Sequence, residues 1–125
     1  MSEFVKLSII LNIFLLVGCS NDNLISAIAE TEPVATSGDA ADDPAIVVNF
    51  SNPTQSLIFG TDKRAGVYLY DLSGKKISYA ALGEINNIDV RQVDNKIYVA
   101  ASNRTAQSIE FWEFNQQEFF KNIVY

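Results

Sequence analysis

From residue 45 onward the chain alternates short apolar runs with turn-forming residues, at a period of two inside each run. Such alternation places every second side chain on one face of a strand, so these runs predict half-buried β-strands rather than helices. The first set comprises 45–50, 56–60, 67–72 and 76–80. Turns are expected at Asn52-Pro53, at 62–66 and at the two-residue hairpin Ser73-Gly74. The second set comprises 87–93, 96–101, 108–114 and 119–124, with a hairpin at Asp94-Asn95 and a turn at 103–107.

The two sets share one layout. Leu57-Ile58-Phe59 falls over Ile97-Tyr98-Val99, forty positions on, and Arg64 falls over Arg104. After one inserted residue, Tyr68 and Tyr70 fall over Ile109 and Phe111. Two four-strand units repeating at about forty residues predict an all-β fold of β-propeller blades, each of four antiparallel strands. A single eight-stranded sandwich or barrel is the alternative on pattern alone. Rings close with ~4–8 blades, so two units read as part of a propeller.

Ahead of the strands the pattern is different. Residues 7–17 are apolar except for Ser8 and Asn12, too short a run for a spanning helix, which needs about 20 residues. The run ends in Leu16-Val17-Gly18-Cys19, which resembles the bacterial lipoprotein cleavage box, where small residues precede a cysteine that becomes lipidated. That reading makes 1–18 a signal helix and Cys19 the lipid anchor of an exported envelope or cell-surface lipoprotein. An ordinary signal peptide or a core helix are the plainer readings. Residues 19–38 are small, polar and acidic, as expected of a tether leading into a domain at 39–125.

Composition narrows the chemistry. The 125 residues carry a formal charge of −6, which argues against nucleic acid as a partner. There is no histidine and one cysteine, so phosphohistidine, Ser-His-Asp and Cys-His mechanisms cannot be built from this chain alone. Carboxylates, amides, lysines and arginines remain, suited to hard cations and to anions.

Asp39, Asp42 and Asp43 fall within five positions. They form either a solvated acidic loop or part of a hard-cation site, which takes about 6–8 oxygens. Lys63 and Arg64 occupy one turn, and Arg104 the equivalent turn of the second unit. If adjacent blades align these turns, an ammonium and guanidiniums gather where they could grip a phosphate. Otherwise they are exposed turn charges. Trp112 and its neighbouring phenylalanines read as packing residues.

Several motifs in sequence carry a resemblance. Ala29-Glu-Thr-Glu-Pro-Val34, Gly38-Asp-Ala-Ala-Asp-Asp-Pro-Ala-Ile46, Thr61-Asp-Lys-Arg-Ala-Gly66, Ile85-Asn-Asn-Ile-Asp-Val-Arg91 and Ala100-Ala-Ser-Asn-Arg104 resemble the opening of the β-propeller phytases. The resemblance implies about two blades of a six-bladed propeller, and calcium-dependent hydrolysis of phytate, myo-inositol hexakisphosphate. It implies that Glu30 and Asp42 face a catalytic calcium cluster, and that Asp43 with the carbonyls of Pro44 and Ile88 holds another calcium. Asp39, Asn87 and Asp89 lie in the same motifs and join the candidate metal ligands. Lys63, Arg64 and Arg104 are the implied phosphate binders, with Lys63 and Arg104 also stabilising transition-state charge. With later blades absent, the expectation is a truncated chain, inactive alone. A non-catalytic surface lipoprotein that binds a partner is the competing reading.

Overall fold

A computed structural model describes residues 25–123. The expected signal helix, Cys19 and the start of the tether lie outside the described residues. The strands are β1 (Ala41–Val47), β2 (Leu57–Asp62), β3 (Gly66–Asp71), β4 (Lys76–Ala81), β5 (Ile85–Val93), β6 (Lys96–Asn103) and β7 (Ser108–Asn115), followed by helix α1 (Gln116–Lys121). They form two antiparallel sheets, ordered β1-β2-β3-β4 and β5-β6-β7. The chain is all-β, built from two blade-like units, and Leu57 and Ile97 occupy matching places in β2 and β6.

Alternation explains the packing. Ile97, Val99 and Ala101 of β6 are buried, while Tyr98, Ala100 and Ser102 between them turn to the opposite face. Val47, Leu57, Phe59, Val67 and Leu69 of the first sheet meet Ile85, Ile88, Val90, Ile97 and Val99 of the second in one core. Fully burying an aliphatic side chain of this kind contributes about 1.5–3 kcal/mol. β1 runs beside β5, and polar clips fasten that seam. The Gln92 amide donates to Val48 O and accepts from Val48 N, both at 2.8 Å. Thr61 donates to Asn86 O at 2.7 Å. These bonds leave few buried polar atoms unpaired where the sheets meet.

Three expectations need correction. The apolar run at 119–124 is not a fourth strand: the second sheet has three strands, and α1 covers the run's first residues. Asn115 accepts from the amides of Gln117 and Glu118, a side-chain N-cap. Phe119 packs against Phe59 and Phe114, with ring centroids 6.2 and 5.1 Å away. Helix geometry brings both Phe119 and Phe120 against the core, whereas a strand would send them to opposite faces. The Ser73-Gly74 hairpin has a longer loop, Leu72-Ser73-Gly74, closed by Asp71 N donating to Lys75 O at 3.0 Å. The Asp71 carboxylate accepts from Ser73 N and Lys75 N, holding this shape. β1 begins at Ala41 rather than at 45, so Asp42 and Asp43 lie on the strand itself, with Asp39 just ahead of it. By contrast, Asp94-Asn95 is the expected two-residue turn, with Val93 opposite Lys96 and Asp94 at φ 53.

Candidate functional site

Two features of the repeat set the site. The β2–β3 loop carries Lys63 and Arg64, and the β6–β7 loop carries Arg104. Stacking of the sheets brings these equivalent loops together: the Arg104 guanidinium donates from Nη2 to Lys63 O at 2.9 Å. Near the start of each adjoining strand the register slips, between Ala41 and Pro44 in β1 and between Ile85 and Ile88 in β5. Such irregularities re-aim side chains at the ends of sheets. Asp42 and Asp43 stand on the first slip, Asn86 and Asn87 on the second.

Lys63 is the centre of one cluster. Its ammonium lies 2.8 Å from Asp39 Oδ2 and 3.7 Å from Asp42 Oδ1. The hydrogen bond and charge of Lys63 hold the Asp39 carboxyl below its ordinary range. Arg64 reaches back to the preceding segment, donating from Nη1 to Ser37 O at 3.1 Å. Glu84 flanks Arg104 at 3.8 Å, a half-exposed pair of small energetic worth. The loop that carries Lys63 and Arg64 is therefore met by the Arg104 guanidinium, with two carboxylates beside the Lys63 ammonium. Planar guanidiniums and an ammonium are the groups that bind phosphate oxygens.

A second group gathers around Asp43. Asp43, Pro44, Asn87, Ile88 and Asp89 line one open pocket of about 490 Å³. Asp43 Oδ2 accepts from Ile88 N at 2.9 Å, and so ties β1 to β5. The Asn87 amide N–H donates to Ser102 Oγ at 3.0 Å. Asp89 pairs with Arg91 at 2.7 Å and also accepts from Val90 N. Glu30 lies in the segment ahead of β1. Its stretch docks on the β3–β4 loop, with Glu32 N donating to Gly74 O at 2.7 Å. Thr31, the next residue, lines one pocket with Asp42, Asp43 and Pro44.

Among the described residues no three Asp, Glu or Cys side chains converge on a common point as metal ligands. Asp39 and Asp42 share an ammonium, and Asp43 is engaged by an amide. A calcium ion takes about 6–8 oxygens, so these side chains and the carbonyls of Pro44 and Ile88 supply part of a shell. Asp62, at the end of β2, escaped the sequence reading. It is fully buried, although its place in Thr-Asp-Lys-Arg-Ala-Gly looks like that of an ordinary turn aspartate. A polar residue inside an otherwise apolar strand end was the available signal.

Blade-like sheets repeating along the chain, with equivalent loops forming a cationic rim beside carboxylates, define an all-β protein of the propeller type equipped to meet anions. The chain belongs to the phytase family, a family of phosphatase-type hydrolases: the family model described as Phytase matches residues 8–125. Over 67 residues it is 45% identical to a 3-phytase of Bacillus subtilis (strain 168), covering 54% of this chain. The matched stretch spans 18% of that relative's length.

Proposed function

We propose that these two blades contribute the phosphate-gripping rim of a calcium-dependent phosphomonoesterase acting on phytate within a six-bladed propeller. The observation that carries this reading is the contact between the loops that carry Lys63, Arg64 and Arg104, forty residues apart, through the 2.9 Å bond from the Arg104 guanidinium to the Lys63 backbone carbonyl, in a chain of net charge −6.

Lys63 and Arg64 bind and orient a substrate phosphate, and Arg104 stabilises charge that grows on phosphoryl oxygens as the ester bond breaks. Asp39 leaves Lys63 as the phosphate arrives. Asp42 and Asp39 on one side, and Asp43 with Asn87, Asp89 and the carbonyls of Pro44 and Ile88 on the other, would contribute oxygens to calcium. Glu30 and groups outside this set would supply the remaining ligands. Calcium, when bound, supplies Lewis-acid neutralisation between protein carboxylates and substrate phosphates. Export belongs to the same proposal, with Cys19 as the lipidated residue at the cell envelope; labelling with a radioactive fatty acid, lost on Cys19→Ser, tests it.

The test of the reaction is phosphate release from phytate by the protein, stripped of metal and then resupplied with calcium. Release is expected only with calcium, and Arg104→Ala is expected to lower kcat/KM roughly a hundredfold. Release that persists in chelator, or undiminished activity of Arg104→Ala, would refute the proposal.

A further inference from the structure

The β2–β3 loop and the segment crossing it are joined through one side chain that the proposed reaction does not use. Asp62 has no exposed surface. Its two carboxylate oxygens accept from the Thr36 hydroxyl at 2.7 and 2.8 Å, and Oδ1 also accepts from Arg64 N at 3.0 Å. A buried carboxylate is tolerated only when such donors replace water, so the donors and the acid hold one another in place. The surrounding backbone follows the same path. Lys63 N donates to Ala40 O at 2.9 Å, and the Arg64 guanidinium lies over Gly38 and bonds Ser37 O.

The chemistry carried by these pieces gives the arrangement a purpose. Lys63 and Arg64 follow Asp62 directly in the chain. Asp39 and Asp42 ride on the segment that Thr36 anchors. We propose that Asp62 is a positioning residue for the anion-binding rim, locking the loop that carries Lys63 and Arg64 to the segment that carries Asp39 and Asp42. It touches no substrate. It sets the spacing of Lys63 and Arg64 against Arg104, which bonds that loop through the Lys63 carbonyl. This inference deepens the proposed function and rests on it for the identity of the anion.

Two variants test it without removing a rim residue. Thr36→Val keeps the shape and deletes the donor. Asp62→Asn keeps an acceptor for Arg64 N–H, and should stay nearer to wild type than Asp62→Ala. In Thr36→Val, hydrogen exchange at the Arg64 amide is expected to quicken about tenfold, and phytate affinity in calcium to weaken about tenfold. The melting temperature should move little. Wild-type exchange and affinity in Thr36→Val would overturn the proposal. So would a lowered melting temperature with unchanged affinity per folded molecule, since that marks a purely structural residue. If the wild-type protein binds no phytate, the functional reading fails separately, and exchange at the Arg64 amide then decides: quickened exchange in Thr36→Val at an unchanged melting temperature supports positioning, and unchanged exchange overturns it.

Discussion

Gly74→Ala offers the sharpest check on how the segment ahead of β1 is held. Gly74 adopts φ +87, and a Cβ there would stand 1.9 Å from Glu30 O, 2.7 Å from Glu30 C and 2.9 Å from Thr31 Cα. All three are backbone atoms, so no side chain can swing aside to make room. The left-handed conformation costs a non-glycine residue about 1–2 kcal/mol. Displacing the docked segment also breaks the 2.7 Å bond from Glu32 N to Gly74 O, worth about 0.5–1.5 kcal/mol. Together these effects amount to about 1.5–3.5 kcal/mol, or a shift of roughly 10- to 400-fold in the docking equilibrium. Residues 30–33 should therefore come away, while the Thr36–Asp62 contact keeps the β2–β3 loop in place. Amide hydrogen exchange reads this directly: Glu32 should lose protection and Arg64 should keep it. Phytate turnover should fall in parallel if Glu30 serves as a calcium ligand. Unchanged protection of Glu32 at an unchanged melting temperature would refute the reasoning.

Two further outcomes follow from the same geometry. The Asp39 carboxyl titrates below its ordinary value of 3.8 because Lys63 stabilises its charged form. A lowered folded-state value means that the Lys63–Asp39 contact stabilises the protein above the ordinary value. That contribution is lost as pH falls through the folded-state value. Carboxyl NMR should show the Asp39 midpoint rising in Lys63→Met, and an unmoved midpoint would contradict the pairing. Ile97 has no exposed surface and lies between the two sheets, so Ile97→Ala should cost about 2–5 kcal/mol in urea denaturation. Ile109→Ala, at a side chain 70% exposed, should stay within about 0.5 kcal/mol; equal losses at the two positions would contradict the packing.

Much of the fold was legible in the linear pattern, because a strand's side chains alternate with a period the sequence must respect. Ile97, Val99 and Ala101 announce an inward face, and the forty-residue offset to Leu57 announces a second copy of the same unit. Asp94-Asn95 and Asn52-Pro53 mark turns through local backbone preferences alone. Phe119-Phe120 misled for a related reason. Two adjacent aromatics suit a buried strand, and only the Asn115 cap together with Phe59 and Phe114 turns them into a helical lid. Residue types and spacing likewise exposed Lys63, Arg64, Arg104 and the acidic run as candidates, since few other groups in a histidine-free chain can do chemistry.

The chain order by itself determined that sheets would form, which faces would seek burial and which charges were available. Tertiary structure decided which charges meet. Arg104 reaches the Lys63 carbonyl, and Asp43 reaches the Ile88 amide, only because one sheet stacks on the other. Asp62 is buried only because Thr36, 26 residues earlier, folds back across it. Glu30 docks beside Gly74 only because the β3–β4 loop folds against its segment. The physical reason is common to all four: period and propensity act over a few residues, whereas the desolvation and pairing of a charge depend on whichever segment the fold brings against it.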